Sequence, residues 1–198
     1  MERLQKVTEV RSKSPTASVR KDAEKPMLFT QIRQPESNYL AVPEVSSQRR
    51  KYIPIGYMTP ETIASSKLYL IPDASIYMFG VMMSNVHMAW MRVVCGRLKS
   101  DYSYSPAVYN NFPWPNPTEA QKEKIEQTAQ AILDARALYP SSSLADLYDE
   151  LTMPPELRTA HQKNDRAVME AYGFWGRLNS ESECVAELMK MYQSLTSL

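Results

Sequence analysis

Glycine is scarce: five occur in 198 residues, at positions 56, 80, 96, 173 and 176, and none forms a GxGxxG or Walker pattern. A nucleotide phosphate therefore finds no glycine cradle in this chain. Cysteine is scarcer still. Cys95 and Cys184 show no metal-ligand spacing and cannot build the disulfide lattice of a small secreted scaffold, so a reduced compartment is the expectation. Histidine occurs only at positions 87 and 161, with no cysteine or acidic neighbour at ligand spacing, and no metal site is expected. No GxSxG elbow is present. Taken alone, the chain is expected to be non-catalytic and to hold no cofactor. The first twenty residues lack the apolar stretch of a secretory signal, and a cytoplasmic location is the expectation. One run, Ala74 to Met91, goes 18 residues without a formal charge. Asn85 and His87 lie inside it, Arg92 follows at once and no second span exists to partner it, so it reads as a helix buried on most faces rather than a membrane span.

What is present is unevenly distributed. The formal net charge is +1, yet residues 1–117 hold 15 lysines and arginines against 9 acidic residues, and residues 118–198 hold 8 against 13. Any polyanion binding belongs to the basic front, and the acidic tail is expected to face away from phosphates. Residues 1–26 read as a lead-in of Ser, Pro and Lys make-up, with a short helix starting at LQKV. From Met27 the pattern becomes short apolar runs cut by prolines, namely MLFTQI, NYLAVP, KYIPIGYM and KLYLIPD, which favour strands with Pro43, Pro54 and Pro72 at edges or bends. Residues 74–98 predict one long helix ending near Gly96, and YSYSPAVY one more extended segment. NNFPWPNP, with three prolines, sets a boundary at residue 117. Beyond it the signals are helical. Thr118 with Gln121 forms a capping-box pattern, Ser143 to Tyr148 fits a short helix, Pro154-Pro155 opens another that ends at Gly173, and Ser180 with Glu183 caps the last. The fold class is α+β: a small irregular β-sheet packed on a long central helix over residues 27–117, followed by an all-α helical bundle over residues 118–198.

The informative polar cluster is Ser46-Ser47-Gln48-Arg49-Arg50-Lys51-Tyr52, between two predicted strands. An arginine fork binds phosphate or the guanine edge bidentately, a glutamine amide matches adenine, and serine hydroxyls suit phosphate oxygens. Arg92, Arg97, Lys99, Tyr102 and Tyr104 are expected to extend this surface, giving a double-stranded DNA reader. The competing reading of the cluster is a solvated basic turn. Other motifs read as structure: His87 as a hydrogen-bonded core histidine, Pro154-Pro155 as a helix start because Met153 and Glu156 flank it, and Phe112 and Trp114 as anchors of the domain junction.

Longer strings carry a resemblance. PMLFTQIRQPESNYLAVPEVSSQRRKYIPIGYM, IPDASIYMFGVMMSNVHMAWMRVVCGRLKSDYSYS, VYNNFPWP and SLADLYDELTMPPELRTAHQKNDRAVMEAYG resemble the C-terminal part of the MmeI-type DNA methyltransferase and restriction-modification family over nearly the whole chain. The resemblance implies a target recognition domain followed by a helical C-terminal domain. It also implies a parent enzyme that transfers a methyl group from S-adenosylmethionine to an adenine at a specific DNA sequence. The methyltransferase domain would lie upstream, in cis or as a separate subunit, with an endonuclease domain in restriction-competent members. Neither the cofactor motif nor the Asn-Pro-Pro-Tyr loop of that family occurs here. The family's base-reading loop falls on Ser46 to Lys51, with Gln48 where many relatives are expected to carry an acidic residue. That departure predicts a changed base preference, because a carboxylate accepts from cytosine whereas a glutamine amide suits adenine. The rival reading is a scaffolding or protein-interaction domain that meets partners through Trp90, Phe112, Trp114 and the helical bundle.

Overall fold

The structure, a computed structural model, describes residues 2–197. The described residues form two compact units, 2–34 and 35–197. In the first, α1 (Glu2–Ser12) and α2 (Ala17–Lys21) are followed by a 3-10 turn at Asp22–Glu24. None of these elements buries a residue. The guanidinium of Arg11 gathers the unit by donating to the carbonyls of Asp22, Lys25 and Leu28 at 2.7–3.0 Å. The strand expected over MLFTQI does not form. Residues 27–34 carry no regular element, and Met27, Phe29 and Ile32 stay largely exposed. A strand needs a ladder partner, and among the described residues of this unit none is available.

The second unit builds two three-stranded antiparallel sheets. In the first, β1 (Tyr39–Pro43) lies between β3 (Gly56–Met58) and β4 (Leu68–Pro72), with Leu40 opposite both Tyr57 and Ile71. Tyr39, Leu40, Ala41 and Val42 are all buried, as a central strand covered on both faces requires. In the second, β2 (Val45–Ser46) pairs with β6 (Asp101–Ser103), which pairs with β5 (Gly96–Leu98) through a two-residue turn at Lys99-Ser100.

The single helix expected over residues 74–98 is two helices, α3 (Ile76–Met82) and α4 (Asn85–Val94). Ser84 makes the break. Its backbone is extended, and its hydroxyl accepts from the His87 N–H, so the side chain caps a new helix instead of continuing the old one. The apolar residues Met, Val, Ala and Trp on either side hide this break from any reading of periodicity. Residues 96–98 then leave the helix as β5.

The remaining helices follow their local signals. After α5 (Pro106–Asn110), the Thr118–Gln121 capping box opens α6 (Glu119–Ala137). Ser143 caps α7 (Leu144–Leu147), Pro155 begins α8 (Pro155–Ala171), and Ser180 caps α9 (Glu181–Thr196). One hydrophobic core runs from Leu40 and Phe79 through Ile125, Ala129 and Ile132 to Leu157, Val168 and Leu188. The segment 111–117 is irregular, with Phe112 buried in this core and Trp114 edge-on to Phe112 at 5.4 Å.

Gly80 lets α3 meet α6 closely. A Cβ at this position would lie 2.7 Å from Ile125 Cγ2 and 2.9 Å from Ala129 Cβ. Alanine is the better helix former by about 1 kcal/mol, but both contacts are shorter than packed carbons tolerate, and overpacking costs roughly 1–3 kcal/mol. Gly80→Ala is therefore expected to lower stability by up to about 2 kcal/mol, read as a lower urea midpoint at unchanged slope.

Candidate nucleic-acid interface

The loop between β2 and β3 starts from a fixed point. Ser46 is buried and sits opposite Tyr102 in the sheet. The chain then turns: the Arg50 N–H donates to the Ser47 carbonyl at 3.2 Å, and the Ser47 hydroxyl accepts from the Arg49 N–H at 3.3 Å. The Gln48 N–H donates to Asp101 Oδ1 at 3.3 Å, which ties the loop to the β5–β6 hairpin. Gln48, Arg49 and Lys51 are exposed, while Arg50 is half-buried and its Nε is enclosed without a hydrogen-bond partner. At the hairpin tip Lys99 takes a φ of 57°, a conformation that costs a residue with a side chain and that persists where surroundings impose it.

The loop's far end is anchored in a polar network inside the core. The Tyr52 hydroxyl donates to Asp165 Oδ2 of α8 at 2.6 Å, and Asp165 Oδ1 accepts from the Asn85 N–H at the start of α4 at 2.7 Å. A carboxylate at a helix N-terminus meets an orphan donor and the positive end of the dipole, which is what a buried acid needs. Burial nevertheless pushes the Asp165 carboxyl up to about 6. The Tyr52 ring stacks on His161, with centroids 4.0 Å apart. His161 Nδ1 lies 3.2 Å from the Met83 carbonyl and must donate to it, so Nε2 accepts from the Tyr148 hydroxyl at 2.7 Å. The same hydroxyl accepts from Arg136 Nε and Nη2, and Arg136 Nη1 donates to the Ile55 carbonyl at 2.9 Å. Residues 52–55 are thus held by α6, α7's end and α8 together. The loop is presented by a rigid frame.

The expected site residues divide into three groups. Ser47, Gln48, Arg49, Arg50 and Lys51 occupy the loop surface, and Arg97 and Lys99 are exposed on the adjoining hairpin, with Arg97 over the Tyr102 ring at 4.0 Å. Arg92 is committed elsewhere: it pairs with Glu181 of α9 and donates to the Lys51 carbonyl, so it braces the loop from behind. Ser46, Tyr102 and Tyr104 are buried, which corrects their expected place on the surface. Tyr102 and Tyr104 are two residues apart on an extended segment, so both point inward, where the Tyr104 hydroxyl meets His87 Nε2 at 3.0 Å. Burial lowers His87 to about 4, leaving it a neutral core residue. Trp90 and Phe112 are also buried, which removes two of the side chains that a partner-binding reading would need.

A groove of about 320 Å³ opens beside the loop, lined by Ser47, Arg49, Arg50, Ser100, Asp101, Asp149 and Glu150. Asp149 and Glu150 belong to the acidic tail, which was expected to face away. They lie two and three residues beyond the end of α7, and the turn there carries them to the loop. No sequence signal marks this approach, because the partners lie about a hundred positions apart in the chain.

Comparison with known proteins places the chain. A model described as the MmeI target recognition domain matches residues 1–116, and one described as the MmeI C-terminal domain matches residues 117–198. The chain belongs to the MmeI family. Members of that family include the Type IIL restriction-modification enzyme MmeI, whose structure in complex with DNA covers the whole of this chain at a TM-score of 0.88 and 49% identity. A curated relative, DNA methyltransferase A of Bacillus subtilis (strain 168), is 41% identical over 187 residues, 94% of this chain. The chain spans 26% of the MmeI chain and 21% of the Bacillus protein. Among the described residues, no helix is long and apolar enough to cross a membrane.

Proposed function

We propose that this MmeI-family chain is the DNA-recognition part of a site-specific adenine DNA methyltransferase of the restriction-modification type. It positions double-stranded DNA for methyl transfer by an upstream methyltransferase domain of the parent protein, which would supply S-adenosylmethionine and the catalytic loop. The setting is cytoplasmic. The observation that carries the reading is the rigidly framed loop Ser47–Lys51, with exposed Gln48, Arg49 and Lys51, in a chain 49% identical to part of an enzyme solved with DNA. Phosphate contacts from Arg97, Lys99 and Lys51 fix register, and Gln48, Arg49 and Arg50 read base edges in the major groove. The target adenine, whose amine is closed to chemistry in the stack, is extruded by the upstream domain.

The test is binding of the chain to a randomised duplex pool at low and moderate salt, followed by sequencing of the retained DNA. One short sequence should be enriched, with affinity falling steeply as salt rises. Arg49→Ala and Arg50→Ala should each weaken the selected duplex by roughly 1–3 kcal/mol and relax one position of the sequence. Affinity indifferent to salt and to both substitutions would point instead to a protein-binding module.

A further inference from the structure

The groove beside the recognition loop holds charges of both signs. Arg49 and Arg50 line one part of it, and Asp101, Asp149 and Glu150 line the rest. Two of the three carboxylates are occupied locally: Asp101 accepts from the Gln48 N–H, and Asp149 accepts from the Leu151 N–H at 3.0 Å. Glu150 is exposed, and among the described residues its carboxylate has neither a hydrogen bond nor an ion pair. Neither arginine pairs with a carboxylate across the groove. Arg50 also has an enclosed Nε without an acceptor. Opposite charges that line one groove without closing on each other leave room for a ligand between them.

Charge decides which ligand. Three carboxylates against two arginines make the groove unfavourable for a phosphate, so the DNA backbone belongs on the Arg97–Lys99 side. A neutral edge that offers acceptors to the arginines and a donor to a carboxylate fits instead. The major-groove edge of a G·C pair has that pattern: guanine O6 and N7 accept from an arginine fork, and the cytosine amino group donates to a carboxylate.

We propose that Glu150, from the helical C-terminal region, is a specificity-determining residue that accepts the cytosine amino hydrogen of a G·C pair whose guanine is bound by Arg50. The proposal rests on the reading of the chain as a DNA-recognition module. The acidic region then supplies part of the reading surface in addition to bracing it.

The experiment compares the 198-residue chain with its Glu150→Gln and Arg50→Ala variants in the randomised-duplex selection at moderate salt. Glu150 is exposed, and unchanged thermal melting of Glu150→Gln verifies that the fold is kept. The expected result is that Glu150→Gln lowers the preference for G·C roughly tenfold at one position, the same position that Arg50→Ala relaxes, and leaves non-specific affinity undiminished. If Arg50→Ala relaxes a position and Glu150→Gln relaxes none, or if Glu150→Gln changes affinity for all sequences alike, the role of Glu150 is overturned while the module reading stands. A chain that enriches no sequence, and whose retention ignores Arg50→Ala, overturns the module reading and Glu150's role with it.

Discussion

Asp165→Ala will cost about 2–6 kcal/mol of stability, because it strands the Tyr52 hydroxyl and the Asn85 N–H together and each buried orphan costs roughly 1–3 kcal/mol. Among the described residues, Asp165 is the only hydrogen-bond partner of either group, at 2.6 and 2.7 Å. The deletion also leaves α4 without the carboxylate at its N-terminus. Asp165→Asn retains one acceptor oxygen in the same shape, so it should fall between wild type and alanine. Urea unfolding of the three proteins checks the order. An alanine variant within about 0.5 kcal/mol of wild type would mean that water replaces the carboxylate, and that the network does not hold the loop. The two variants separate anchoring from charge. Both remove the same negative charge, so a purely electrostatic role would make them equally destabilised, whereas an anchoring role makes alanine the worse.

Acid should weaken the folded state, and the direction follows from three buried groups. Burial lowers His87 to about 4 and His161 to about 3, so both contribute stability that is complete above pH 6.5 and lost as pH falls through that window. Asp165, raised by burial to about 6, acts in the opposite sense: its contribution is complete below pH 3.8 and lost as pH rises through about 6. The two histidines lose their contribution over the range in which the one carboxyl regains its own, so acid is destabilising on balance. The protein should therefore be less stable at pH 4.5 than at pH 7, by an amount on the order of a few kcal/mol. Denaturant melts at the two pH values measure it. In His87→Gln the loss should shrink by about half the histidine share, because one of the two protons taken up on unfolding is gone. An unchanged pH dependence in that variant would remove His87 from the account.

Sequence reading succeeded where structure is decided within one turn of the chain. The caps at Thr118 and Ser180 and the proline start of α8 are local chemistry and lie where expected, and the short helix expected over residues 143–148 forms as α7 with Ser143 as its cap. The cap at Ser84 is equally local, but good helix formers surround it, so the expected single helix over residues 74–98 runs straight across it. The loop Ser46–Lys51 was legible as a cluster of DNA-compatible side chains between strands. Its frame was not. Tyr52 reaches Asp165 and Arg136 reaches Ile55 across 113 and 81 residues, and no periodicity records such pairings. Tyr102 and Tyr104 lie inside rather than on the surface for a related reason: tyrosine suits both a wet surface and a core, and only the fold supplies Tyr104 with its His87 partner. The net charge of residues 118–198 points the whole tail away from phosphates, yet charge summed over a segment says nothing about which of its turns bends toward a neighbour, as the one carrying Asp149 and Glu150 does.

The close approach at Gly80 has a bearing on how such modules are recombined. α3 belongs to the stretch matched by the target recognition model and α6 and α8 to that matched by the C-terminal model, yet Gly80, Ile125, Ala129 and Asn164 meet as one joint, with Asn164 Nδ2 donating to the Gly80 carbonyl at 2.7 Å. A chimaera cut at residue 117 would press a foreign α3 against resident helices whose side chains evolved around another surface. Grafting specificity between relatives therefore calls for one of two transplants: the loop and hairpin alone, or residues 35–198 as a single piece.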